Sequence, residues 1–174
     1  MACWNSIIKN LETKHKVAKL LISHHHPDHI GLSKILSEKL DIKVYASKNE
    51  ILRAEKIINL SDTEYGQMLS KKYEEFGLAK KAIFNAKRRG NFYKSMIKEI
   101  PYIRAIDGSF FIETKYGKWK VRFDTGHSPS QLGLYDEVRK IYLCFDFLLP
   151  RISPNISVGI EDSENNILGK YINY

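Results

Sequence analysis

The stretch that most constrains the fold is Val17-Ala-Lys-Leu-Leu-Ile-Ser-His-His-His-Pro-Asp-His-Ile-Gly31. Its first six residues are mostly apolar, which is typical of a short buried strand in an α/β sheet. Four histidines and one aspartate follow within His24–His29. Apolar residues at helical spacing then predict a helix over residues 32–40, and Ile42–Ala46 is predicted to be a second strand. This order places the histidine cluster at the carboxyl end of a strand, where α/β sheets usually position their chemistry.

The side chains of this cluster indicate a metal site. Imidazole nitrogens and carboxylate oxygens are the ligands of borderline divalent ions such as zinc. In an extended loop alternate residues face the same way, so His24 and His26 are expected to share one ion. Asp28 and His29 are then expected to turn toward a second. Pro27 stiffens the segment by fixing its own backbone angle and restricting the residue before it.

Length and composition limit the classes of protein that fit. The chain has 174 residues, of which 43% are hydrophobic and 28% charged, as expected for one globular domain. No apolar run approaches the roughly 20 residues of a membrane-spanning helix. Met1–Lys9 does not resemble a signal peptide, so we expect a cytoplasmic protein without a membrane partner. The two cysteines, Cys3 and Cys144, exclude a disulfide framework and a four-cysteine zinc site.

Basic residues are concentrated in one segment. The chain has 28 basic and 20 acidic residues, a net charge of +8. Residues 78–98 contain no acidic side chain, and their basic residues are Lys80, Lys81, Lys87, Arg88, Arg89, Lys94 and Lys98. Such a segment is suited to attract phosphate, nucleic acid or an anionic substrate. The alternative is an ordinary solvated helical face.

The middle of the chain predicts helices. Apolar residues at helical spacing indicate a first helix over Trp4–Glu12, and two to four more are expected between Glu50 and about Lys98. Ser47 is positioned to cap the first of these through Glu50, three residues later. The expected interruptions are Gly66, Gly77 and Gly90. Two pairs four residues apart are expected to pack in the core: Phe92 with Met96, and Tyr93 with Ile97.

The chain from Pro101 onward predicts a meander of short strands. The expected strands are Tyr102–Ala105, Phe110–Thr114, Trp119–Phe123, Leu132–Tyr135 and Ile141–Phe145. An irregular segment over Leu148–Asn166 and the start of a last helix over Ile167–Tyr174 are expected to follow.

Three motifs together resemble the metallo-β-lactamase superfamily. The first is the pattern His-x-His-x-Asp-His over His24–His29, the second is Asp124–Pro129, and the third is Cys144–Asp146 followed by Leu148–Ser157. The last resembles the branch of glyoxalase II-like and β-lactamase-like hydrolases. The resemblance implies an α/β fold, the αββα sandwich. It further implies one domain over residues 1–174, with a helical insertion at about 61–98 and without the family's N-terminal strands and C-terminal strand and helix.

The resemblance also implies a two-metal centre. By similarity, the first ion is bound by His24, His26 and His127. The second is bound by Asp28 and His29, with Asp146 bridging the two ions. In the family a hydroxide held between two zinc ions attacks the substrate, and Asp28 orients it. Manganese and iron accept the same ligands.

Two positions depart from the family pattern. No histidine follows His127, so the second ion lacks the family's last ligand, and Phe145 stands where the family usually has a small residue, often glycine. We expect a zinc-dependent hydrolase of a small ester or thioester. The alternatives are a phosphodiesterase or nuclease, whose anionic substrate would contact Lys87, Arg88 and Arg89, and an inactive remnant or a subunit completed by a partner chain. The last alternative predicts a homo-oligomer.

Overall fold

The structure is a computed structural model that describes residues 2–12, 16–163 and 166–173. The helices are α1 (Ala2–Glu12), α2 (Pro27–Ile30), α3 (Ser33–Leu40), α4 (Lys48–Asn59), α5 (Asp62–Glu75), α6 (Lys80–Arg88), α7 (Phe92–Met96) and α8 (Ile167–Ile172). The strands are β1 (Lys19–Leu21), β2 (Lys43–Ser47), β3 (Ile103–Ile106), β4 (Phe111–Thr114), β5 (Gly117–Asp124), β6 (Gln131–Asp136) and β7 (Ile141–Leu143). In the described part of the chain, no helix has the length and apolarity needed to cross a bilayer.

A parallel sheet in the order β1-β2-β3 forms the first half of the fold. The β-α-β unit is confirmed, with Leu20 opposite Val44. The assignment of β3 to the meander is wrong, because Val44 pairs in parallel with Ile103 on its other side. Helices α4 to α7 form the long crossover that parallel pairing requires. Ile103 is buried in one cluster with Val44 of β2 and the helical residues Ala54 and Ile57, and this burial favours its pairing with β2.

The remaining strands form an antiparallel meander in the order β4-β5-β6-β7, as predicted. Short turns join the strands, and the register places Asp124 opposite Gln131. The backbone N–H of Leu132 donates to the carbonyl of Ser23 over 2.7 Å. This bond joins the second sheet directly to the loop that follows β1.

The helical insertion differs from its prediction at Gly66. This glycine lies inside α5 and does not interrupt it. A Cβ at this position would lie 2.4 Å from the backbone carbonyl oxygen of Lys87, so Gly66 is where α5 and α6 meet closely. Gly77 and Gly90 lie beyond the ends of α5 and α6, as expected.

One of the two expected core pairs in α7 is exposed. Tyr93 and Ile97 are buried, but Phe92 and Met96 remain 55% and 49% exposed. The five-residue helix α7 packs only one side against the core, and Phe92 and Met96 face solvent.

The strand predicted to run to Phe145 ends at Leu143. Phe145 has a φ of +47°, in the left-handed region that favours glycine, and this angle is incompatible with a continued strand. A 3-10 helix, Phe145–Phe147, therefore presents Asp146 from a tight turn. The described residues of the predicted irregular segment contain no helix or strand, and the last helix, predicted over Ile167–Tyr174, is α8 (Ile167–Ile172). Residues 164, 165 and 174 of these predictions lie outside the described residues.

Candidate metal centre

The loop between β1 and α2 carries most of the centre. The Ile22 N–H still donates to the Tyr45 carbonyl over 2.9 Å, which holds the chain against the sheet up to the first histidine. Pro27 occupies the first turn of α2, a position that suits its fixed backbone angle. The loop is therefore extended only as far as His26, and Asp28 and His29 project from a helical turn instead of an extended loop.

Three imidazoles converge at the first group. The Nε2 atom of His24 lies 2.9 Å from Nδ1 of His26 and 3.2 Å from Nε2 of His127. Two ligand atoms at tetrahedral angles around zinc, each about 2.05 Å from the ion, are about 3.3 Å apart. The separation between His24 and His127 fits this geometry, while that between His24 and His26 is slightly tighter.

Asp146 lies between this group and His29. Its Oδ2 atom is 3.4 Å from Nε2 of His29, 3.6 Å from Nε2 of His127 and 4.0 Å from Nε2 of His24. His24, His29 and Asp146 thereby form a second group of donor atoms. Asp28 stands at its edge, with Oδ2 3.7 Å from Nε2 of His29 and the side chain 77% exposed.

Hydrogen bonds on the outer ring nitrogens orient the histidines. The Ser23 hydroxyl oxygen lies 3.1 Å from Nδ1 of His24 and 2.9 Å from Nδ1 of His29. Nδ1 of His127 donates to the Asn155 carbonyl over 2.9 Å. A hydrogen on each Nδ1 leaves the Nε2 lone pairs directed at the centre, as metal ligation requires.

Burial keeps the inner imidazoles neutral. It lowers the pKa of His24 far below the usual histidine range, and the adjacent imidazoles, first that of His29, lower it further. Burial and the neighbouring His25 and His127 lower the pKa of His26 to about 4. Uncharged imidazoles at neutral pH are the form that binds a cation.

The loop that carries His127, residues 125–130, follows β5 and depends on a glycine. Gly126 has a φ of +146°, and a Cβ there would lie 2.5 Å from the Tyr171 ring on α8. Both the angle and the close contact require glycine. The backbone N–H of Gly126 donates to the Ser128 carbonyl, which closes a tight turn around His127.

Sequence reasoning missed the residues that support these ligands. Ser23 directly precedes the cluster, but a single serine carries no distinguishing signal. The sequence pattern assigns Glu50 only to a helix cap, although it is 1% exposed and bonds to both ligand loops. Asn155 acts through its backbone carbonyl, which no side-chain pattern reveals. His25 belongs to neither donor group, and its ring bonds to Glu50 instead.

The three predicted substrate contacts lie on the surface at the end of α6. Lys87, Arg88 and Arg89 are exposed. The guanidinium carbons of Arg88 and Arg89 lie 5.4 Å and 5.9 Å from the ring centroids of Phe84 and Phe92. Among the described residues, no hydrogen bond or ion pair joins the three cations to the histidine cluster.

Comparison with known proteins agrees with this fold. Residues 14–173 match the family model of the metallo-beta-lactamase superfamily. A beta-lactamase domain protein from Burkholderia ambifaria is similar with a TM-score of 0.77 and 23% identity, covering 98% of this chain and 46% of that one. The metallo-beta-lactamase family protein TTHA1429 from Thermus thermophilus gives a TM-score of 0.69 and 21% identity, covering 93% and 52%.

A third similar structure is the di-iron-bound form of TTHA1623, with a TM-score of 0.59 and 16% identity over 97% of this chain and 69% of that one. The chain spans about half the length of the first two structures. No significant match was found among curated proteins. The family match over most of the chain and the mixed α/β fold with two sheets lead to one conclusion: this chain belongs to the metallo-beta-lactamase superfamily.

Proposed function

We propose that this chain carries the centre of a zinc-dependent hydrolase that cleaves a small ester or thioester. The observation that carries the proposal is the close approach of Nε2 of His24 to the donor atoms of His26, His127 and Asp146, at 2.9, 3.2 and 4.0 Å. Several imidazole nitrogens beside a carboxylate oxygen form a ligand set that suits a borderline divalent cation.

The donor set fits zinc. His24, His26 and His127 would hold a first ion, since imidazole nitrogens are preferred zinc ligands. Burial lowers the pKa of His24 and of His26, which favours the neutral form of these two. His29 and Asp28 would hold a second, with Asp146 shared between the two. Iron and manganese accept the same donors, and a di-iron-bound relative of this fold is consistent with that range.

Bound divalent ions supply a water of lowered pKa and polarise the substrate oxygen. The protein residues supply orientation and proton transfer. Asp28 is the most exposed carboxylate of the centre and would orient an attacking water and accept its proton. The hydrogen bonds of Ser23 and of the Asn155 carbonyl hold the imidazoles at fixed angles, so that little ordering is needed during the reaction.

A phosphodiester substrate is the second candidate, favoured by the surface of the helical insertion. We call its seven cations the basic face: Lys80, Lys81, Lys87, Arg88, Arg89, Lys94 and Lys98. All are exposed, and no acidic residue interrupts them in the sequence. Phe84 and Phe92 are 58% and 55% exposed beside them. Cations with interspersed aromatic rings suit phosphates and stacked bases.

One panel of substrates separates the two candidates. Zinc-loaded protein is assayed with ester, thioester and phosphodiester substrates, beside His127→Ala and a Lys87→Ala/Arg88→Ala/Arg89→Ala triple variant. Ester or thioester turnover that His127→Ala abolishes and the triple variant retains supports the first candidate. Phosphodiester turnover that falls with salt and in the triple variant supports the second.

Absence of turnover on all three substrate classes by folded, zinc-loaded protein would remove the hydrolase proposal. The molar mass of the same sample, measured by light scattering, tests whether the chain forms a homo-oligomer.

A further inference from the structure

Glu50 is a buried carboxylate that binds both loops carrying the proposed metal ligands. One oxygen, Oε2, accepts hydrogen bonds from the backbone N–H and the Nδ1 of His25, over 2.9 and 2.6 Å. The other, Oε1, accepts from the Ser128 hydroxyl and the Ser130 N–H, each over 2.8 Å. His25 stands between His24 and His26, and Ser128 directly follows His127.

A local role at the helix end does not account for this arrangement. The pattern Ser-x-x-Glu occurs at the start of both α4 and α5. In α5, Glu64 closes a capping box by accepting from the Ser61 N–H over 2.8 Å. In α4, Ser47 accepts from the Glu50 N–H over 3.3 Å, but the Glu50 carboxylate turns into the protein instead of returning to the cap.

Burying a carboxylate is unfavourable unless its lone pairs are satisfied. Burial has the largest single effect on the pKa of Glu50, and it raises this pKa. The hydrogen bonds and charge interaction with His25, together with the hydrogen bond from the Ser130 N–H, outweigh burial, so the pKa of Glu50 is lowered overall. The His25 carbonyl is held from the other side by the Tyr93 hydroxyl over 2.7 Å. The residue between the two ligands of the first loop is therefore fixed at its backbone and its ring.

We infer that Glu50 is a positioning residue that sets the spacing between the His24–His26 pair and His127. A neutral amide in its place would present N–H groups to two donors and release one of the two loops. The three imidazoles would then have to be ordered by the incoming ion, which weakens its binding. This inference rests on the proposed function, because it concerns the affinity of the proposed first metal group.

The test compares zinc affinity in Glu50→Gln and in the matched Glu64→Gln, which alters the glutamate at the same position of α5. Each protein is titrated with zinc against a competing chelator, and folding is checked by circular dichroism. Glu50→Gln is expected to bind zinc about 10- to 100-fold more weakly, as for other residues that orient ligands. Glu64→Gln is expected to match the unchanged protein.

A control is needed for general loss of stability. Ile57→Ala removes core packing from the same helix but none of the four hydrogen bonds of Glu50, so it is expected to lower stability and leave zinc affinity unchanged. An affinity in Glu50→Gln equal to that of the unchanged protein overturns the inference alone. Failure of the unchanged protein to bind zinc overturns the inference and the proposed metal centre together.

If Glu50→Gln does not fold, Ser128→Ala decides. It removes one of the four donors and leaves the carboxylate with the other three. A loss of zinc affinity smaller than tenfold but reproducible supports the inference, and an unchanged affinity overturns it.

Discussion

Replacing Ser23 with alanine removes one hydroxyl that orients two histidines. His24 is fully buried, so its Nδ1–H loses its partner and has no access to water. A buried donor left unpaired costs about 1–3 kcal/mol. His29 is partly exposed and can bond to water instead, so it adds little. We therefore expect Ser23→Ala to lower the free energy of unfolding by about 1–3 kcal/mol.

Zinc binding should weaken in the same variant, because both imidazoles can rotate and change tautomer. A loss of about 10- to 100-fold is expected, which corresponds to about 1.4–2.7 kcal/mol of binding free energy. Stability is measured by urea unfolding of chelator-treated protein, and affinity by titration against a competing chelator.

Ser33→Ala is a matched control, because the Ser33 hydroxyl is also buried but has no hydrogen-bond partner among the described residues. Its removal deletes a buried hydroxyl that has no partner, so Ser33→Ala is expected to raise the free energy of unfolding instead of lowering it, and to leave zinc affinity unchanged. Equal stability and equal zinc affinity in the two serine variants would refute the assignment of Ser23 as the residue that orients these histidines.

Two further predictions concern packing and pH. Gly66→Ala should destabilise the protein by about 1–3 kcal/mol, because its Cβ would meet the Lys87 carbonyl oxygen at 2.4 Å. Gly108→Ala is the control and should be neutral, because a Cβ there would have no atom within 4 Å. Equal unfolding midpoints in the two variants would contradict the contact at Gly66. Metal-free protein should lose stability as pH falls from about 6.5 toward the folded pKa of His26, about 4. In this window the unfolded chain binds more protons than the folded one, and His24 acts in the same direction. A free energy of unfolding that stays constant from neutral pH to this range would contradict the burial of neutral imidazoles.

Local sequence patterns predicted the helices and strands well. They predicted strand pairing between distant parts of the sequence less well. The β-α-β unit and the antiparallel meander follow from short apolar runs and turn residues, which act within a few positions. The parallel partner of Ile103 lies across the whole helical insertion, so no local pattern could identify it. Gly66 was misassigned because close helix packing and a chain break both favour glycine.

The candidate site was predictable where its residues are adjacent in the sequence. His24–His29 forms one continuous motif. The structure brings His24 and His26 together with His127, and His24 and His29 together with Asp146. The supporting contacts of Glu50 could not be predicted, because its position in a Ser-x-x-Glu pattern gives a sufficient local explanation. Only the folded structure shows that its carboxylate lies between two loops.

Metal content per folded chain, measured by elemental analysis after purification without chelator, tests the central claim most directly. The arrangement of His24, His26, His127 and Asp146 predicts at least one zinc ion per chain, with a clear loss in His127→Ala. A folded protein that carries only traces of metal and does not take up added zinc would contradict the metal centre. A metal content that is the same in His127→Ala would contradict the ligand set.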